Sequence, residues 1–172
     1  NRCVAVVGAR RATTYGKRAA YQIGRRLAES GLTVISGMAY GCDAEAHRGA
    51  LEARGATAAV LGCGVDICYP AANAPLRRRI AEKGLLLSEY EPGTPPRPYR
   101  FPQRNRIISG ICEAVVIAEA GLSSGSLITA ECAAEQGRRV FAVPGSIFAP
   151  GSLGCNKLIQ DGAGLVAVID DI

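Results

Sequence analysis

The chain has 172 residues, 48% of them apolar and 20% charged, which is enough length and apolar content for a buried core and too few charges for a disordered chain. Twenty basic residues against 15 acidic give a net charge of +5, and 17 of the 20 are arginine, the planar donor that suits phosphate and carboxylate, although an arginine-rich codon usage explains the excess equally well. The 21 glycines follow no G-X-Y repeat, which excludes collagen, and every apolar run is shorter than about eight residues, so no membrane-spanning helix is expected.

The chain alternates strand and helix patterns. Cys3–Val7 is a continuous apolar run, as in a strand covered on both faces. A Gly/Arg/Thr loop fills 8–16, and 17–30 has helical spacing ended by Gly31. A second strand over 32–36 leads to a helix over 43–54 closed by Gly55, and a third strand over 57–61 to a helix over 73–83 closed by Gly84. A fourth strand covers 85–88. Residues 89–103 carry five prolines and are expected to form no regular element; a loop of that length in a compact domain is usually functional or mobile. A short helix over 105–112 precedes a fifth strand over 114–118. A helix over 126–136, a sixth strand over 139–143, a short helix over 156–160 and a seventh strand over 165–169 complete the order. Strands of Val, Ile, Leu and Ala joined through helices by short glycine turns predict an α/β fold: a mostly parallel sheet with helices on both faces, in a single domain over 1–172.

The seven cysteines are scattered, form no CxxC, and lie away from the lone His47. No metal, no cofactor and no required disulfide are expected, and a reducing, cytoplasmic compartment is the simplest reading. No charged segment followed by an apolar stretch opens the chain, so no signal peptide is expected; its start at Asn1 suggests a piece of a longer protein.

In such a sheet the ligand site lies beyond the carboxyl ends of the strands. The first strand is followed by Gly8-Ala9-Arg10-Arg11-Ala12-Thr13-Thr14-Tyr15-Gly16, which lacks the GxGxxG fingerprint but offers arginines, hydroxyls and a helix N-terminus suited to phosphate. After the second strand come Gly37, Gly41 and Asp43; Asp43 fits a helix cap, and His47 four residues on, on the same helical face, is either half of an Asp–His pair acting as a base or a structural histidine. The stretch Arg97 to Arg106 holds four arginines, Tyr99 and Phe101 without an acid, a composition that neutralises phosphates and stacks on bases. After the fifth strand, Gly121 to Ser126 resembles an anion-binding helix start, though a serine cap has the same look.

Taken in order, these segments resemble the Rossmann-like domain of the bacterial DNA-processing protein A family, also called Smf. The family's G-S-R…YG loop corresponds to Gly8-Ala9-Arg10 with Tyr15-Gly16, and its SG-x-A-x-G-I-D…AH segment to Ser36-Gly37, Ala39, Gly41-Cys42-Asp43 and Ala46-His47. Val60-Leu61-Gly62, Gly64, Asp66 and Tyr69-Pro70 match a third motif, Phe101-Pro102 with Arg104 to Ile108 a fourth, and Ser124 to Ala130 and Ala142 to Gly145 two more. Ala9 stands where serine is usual, and Cys42 where isoleucine is. The resemblance implies a non-enzymatic single-stranded DNA binder that protects incoming DNA in natural transformation, assists loading of the RecA recombinase, and acts as a homodimer. It also implies flanking family domains, a helical one before this core and often a winged helix after it, both absent here. The residues expected at DNA are Arg10, Arg11, Lys17, Gly37, Tyr99, Arg104, Asn105, Arg106, Ser124, Gly125 and Ser126. Residues 148–172 mix apolar side chains with glycines, compatible with a dimer interface. Two other readings share the fold: a nucleotide phosphoribohydrolase of the related lysine-decarboxylase-like fold, for which Glu131 is the available acid, and a metabolite sensor using the same phosphate pocket.

Overall fold

The computed structural model describes residues 2–172. Seven parallel strands form one sheet: β1 (Cys3–Val7), β2 (Thr33–Ser36), β3 (Thr57–Val60), β4 (Leu85–Leu87), β5 (Ala114–Ile117), β6 (Arg139–Ala142) and β7 (Gly164–Leu165), in the order β4-β3-β2-β1-β5-β6-β7. Val4 of β1 pairs with Val34 on one side and Ala114 on the other. The chain therefore builds outward from β1 through β2, β3 and β4, then returns to lay β5 on the opposite side. That reversal opens a crevice at the carboxyl ends of β1 and β5, where such sheets bind ligands.

Alternation along β1 assigns the two cores. Val4 and Val6 face helices α1 (Thr14–Glu29) and α2 (Cys42–Glu52), packing with Ile23, Leu27 and Ala46. Ala5 and Val7 face α4 (Arg100–Gly110), α5 (Ser126–Glu135) and α6 (Leu153–Gln160), packing with Ile108, Ala130 and Cys155. A third cluster under α3 (Ala74–Lys83) holds Met38, Leu61, Leu76 and Ile80. Both faces are covered, which is why the strands read as unbroken apolar runs.

Three local expectations need correction. Helix α4 begins at Arg100, so 100–103 are not irregular. Pro102 falls in its first turn, where the missing N–H has no intrahelical partner to lose. The last strand is only Gly164–Leu165, and Ile169–Asp171 is a short 3-10 turn. Asp43 does not cap α2: the cap position is Gly41, with φ 73°, a left-handed conformation that favours glycine. No helix is long and apolar enough to cross a membrane among the described residues.

Candidate nucleic-acid interface

A cleft of about 620 Å³ opens at the β1/β5 crevice. Three segments meet there: the loop after β1, the first turns of α4, and the loop that leads into α5. Arg10, Arg11, Arg104, Asn105, Ser124, Gly125 and Ser126, all expected from the sequence, line this cleft. Gly37 lines a small adjoining recess that shares Arg10, Phe101 and Arg104 with it. Lys17, Tyr99 and Arg106 line neither. Lys17 is exposed on α1, Tyr99 is exposed just before α4, and Arg106 points away from Arg104 to meet Glu89 at 2.6 Å.

The helical start of α4 explains this sorting. Phe101 and Arg104 are three residues apart and share one face. The Arg10 guanidinium lies 5.1 Å from the centroid of the Phe101 ring, a cation–π distance. Tyr69, placed in a family motif but not among the residues expected at DNA, stacks on the same Phe101 ring at 5.3 Å and 27°. Its place at the cleft was not legible in the sequence, because Tyr69 sits in a long loop after β3 and only the folded chain brings that loop to α4. Arg10 and Arg11 are exposed and form no ion pair among the described residues.

Arg104 differs in kind. It is 3% exposed, and its Nη1 donates to the carbonyls of Gly37, at 3.0 Å, and Val60. A methyl group on Gly37 would stand 2.7 Å from Arg104 Nη2 and 2.8 Å from Asp43 Oδ2, so only glycine fits between them. Asp43 accepts the amides of Gly37 at 3.2 Å and Gly8 at 3.4 Å, tying the β1 and β2 loops together. Burial pushes its carboxyl up, while Arg104 and the amides of Ala39, Gly8 and Gly37 pull it back down. Burial likewise lowers the Arg104 value, opposed by Asp43. Arg104 thus contributes a fixed positive charge to the cleft floor rather than a mobile side chain.

The α5 end of the cleft has a different chemistry. The cap position is Gly125 and no side chain caps the helix; the Leu127 amide donates to the Ser124 carbonyl at 3.0 Å, and Gly125, Ser124 and Ser126 line the open cleft, the two serine hydroxyls 2.8 Å apart. Asn105 bridges from α4 by donating to the Gly125 carbonyl at 3.3 Å.

His47 is no base. Its Nδ1 lies 2.7 Å from Thr57 Oγ1, whose hydroxyl donates to the Val34 carbonyl at 2.8 Å, so Nδ1 carries the proton and donates to Thr57. Burial, with the charge of Arg104 second, lowers the imidazole to about 3. Glu131, the acid a nucleotide-cleaving enzyme would need, is exposed on α5 and lines a separate depression with Arg138 and Phe141. Cys42, Cys63, Cys112 and Cys155 are buried, and burial pushes all four thiols up.

The chain is similar to known proteins along nearly its whole length. The DNA processing protein DprA of Streptococcus pneumoniae is 48% identical over 169 residues, covering 98% of this chain and 60% of that protein. Protein Smf of Escherichia coli is 47% identical over 170 residues, covering 98% of this chain and 46% of its own. The chain thus spans about half the length of the curated relatives it matches. The X-ray structure of the Streptococcus pneumoniae protein superposes with a TM-score of 0.92 at 47% identity, over 99% of this chain and 60% of that one. The structure of DNA processing protein A from Helicobacter pylori, which describes that protein's single-stranded DNA binding mode, gives 0.91 at 34% identity, over 99% and 77%. A molybdenum cofactor binding protein from Rippkaea orientalis, at 17% identity and a TM-score of 0.71 over 99% of this chain and 92% of that one, shares the fold alone. All of residues 1–172 match the DNA recombination-mediator protein A family, and with these identities and this shared architecture the chain belongs to that family.

Proposed function

We propose that this chain binds single-stranded DNA across the carboxyl ends of its strands, without cleaving it. The observation that carries the reading is the pairing of two exposed, unpaired arginines, Arg10 and Arg11, with aromatic rings and an uncapped helix start in one open cleft. Arginine meets phosphate as a fork, the start of α5 and the Ser124 and Ser126 hydroxyls take another phosphate, and the exposed Tyr69 ring, backed by Phe101, offers a face on which an unpaired base stacks. Asn105 and Gly37 shape the walls, and Arg104 adds charge from below. Lys17, Tyr99 and Arg106 lie outside the cleft, where a strand longer than the cleft would reach them. A relative whose solved structure describes single-stranded DNA binding supports the reading.

Family membership supports a wider role for the protein, as a cytoplasmic homodimer that protects incoming DNA in natural transformation and passes it to RecA. The exposed Ile147, Phe148, Leu165 and Val168 near the C-terminal end support a self-association surface.

Titration with single-stranded and duplex oligonucleotides of equal length tests the binding. Each phosphate contact adds about 0.7 to the salt slope for a single strand. Arg10→Ala and Arg11→Ala are each expected to weaken binding and flatten that slope by about one contact, with little dependence on base sequence. A folded double variant that binds as tightly as the parent would sink the reading.

A further inference from the structure

Helix α1 starts just beyond the carboxyl end of β1, where a parallel α/β sheet commonly seats a nucleotide phosphate. Here that position is filled from within the chain. Glu119, two residues beyond β5, is 4% exposed. Its Oε1 accepts the Thr13 amide at 2.8 Å, and its Oε2 accepts the Thr13 hydroxyl. Thr13 is the cap of α1, and its Oγ1 in turn accepts the Gly16 amide at 3.2 Å. Gly16 lies so close that a methyl group on it would stand 2.5 Å from Glu119 Oε2. No arginine or lysine pairs with Glu119 among the described residues, and the first turn of α1 has no acid of its own. Its carboxylate is therefore held by the amide, the hydroxyl and the positive end of α1. The start of α5 holds no such internal anion: its first turn is acid-free, uncapped, and open to the cleft.

We infer that Glu119 is a built-in anion that closes the α1 phosphate position by taking the Thr13 donors and by its charge, although a cavity of about 380 Å³ lies beside it, and so determines which phosphates the molecule accepts. A free phosphate or mononucleotide has no seat at α1. Phosphates are left to Arg10, Arg11 and the start of α5, on an open surface that suits a strand crossing it; this selection of strand over free nucleotide rests on the DNA-binding reading, whereas the closure of α1 does not.

The test is a titration of the uniformly ¹⁵N-labelled protein with inorganic phosphate against chloride at matched ionic strength. The Thr13 and Gly16 amides are expected to stay in place while those of Gly125 and Ser126 move. In Glu119→Ala the Thr13 and Gly16 amides should become phosphate-responsive, and phosphate should raise the melting temperature of the variant more than that of the parent. Movement of Thr13 and Gly16 in the parent would overturn the inference, as would their immobility in a folded Glu119→Ala. The parent titration can overturn the inference even where the variant does not fold. Stationary Gly125 and Ser126 amides would count against the phosphate reading of the cleft and leave Glu119 where it is.

Discussion

Arg104 and Asp43 carry opposite charges into the interior below the cleft, and their value depends on what surrounds them. Arg104 satisfies two carbonyls and faces Asp43 across Gly37. Arg104→Ala would strip the charge that offsets buried Asp43 and leave those carbonyls without a donor. Removing one member of a buried charged set typically costs about 3–5 kcal/mol, so this variant is expected to lose stability as well as DNA binding. Urea unfolding separates it from Arg10→Ala, which should keep its unfolding midpoint because Arg10 is exposed.

His47 makes a second prediction at the residue scale. Its folded value is near 3, against 6.5 when solvated. Between those values the unfolded chain binds a proton that the folded chain does not. Its contribution is complete above pH 6.5, and stability falls as pH drops through the window, at up to about 1.4 kcal/mol per pH unit. Unfolding midpoints at pH 7, 6 and 5 should decline more steeply for the parent than for His47→Gln. Parallel declines would show that His47 is not the group responsible.

At the scale of elements, α1 and α2 pack backbone to backbone. Gly24 lies against the Ala46 carbonyl and Gly49 against the Tyr21 carbonyl, so a side chain at either position overlaps main chain. Alanine in a helix interior gains about 1 kcal/mol over glycine by propensity. Overpacking a core costs about 1–3 kcal/mol, and here the obstacle is backbone rather than a movable side chain. Overpacking should win, and Gly24→Ala is expected to melt lower than the parent; a higher melting temperature would show that α1 shifts without penalty. Helix α4 teaches the opposite lesson about proline: Pro102 sits in the first turn, so Pro102→Ala should leave the helix and the Phe101–Tyr69 stack in place.

For the whole molecule, the reversal of strand order between β1 and β5 decides where every functional segment meets. Residues more than 100 positions apart, such as Thr13 and Glu119, become neighbours only through that topology. Near its C-terminal side the molecule exposes large apolar side chains: Phe148 is 88% exposed and Ile147 73%. Burying a side chain of this size contributes about 1.5–3 kcal/mol, which favours self-association. Light scattering at micromolar concentration is expected to give about twice the 17.9 kDa chain mass; a monomer alone would remove the dimer from the proposal.

The sequence by itself determined the parallel α/β class, because strands buried on both faces must be apolar throughout and their crossovers need helices and short turns. It determined the arginine and glycine loops after β1 and the small-residue loop after β5, since those signals are local. It did not reveal that Arg104 is buried while its neighbour Arg106 is exposed. That difference follows from the course of α4, which begins at Arg100 rather than at 105 and sets Phe101 and Arg104 on one face and Arg106 on another. Nor did it reveal that Asp43 ties two loops, that His47 serves Thr57, or that Glu119 occupies the start of α1. Each depends on a partner in another strand or loop, and only the order of strands in the folded sheet sets those pairings.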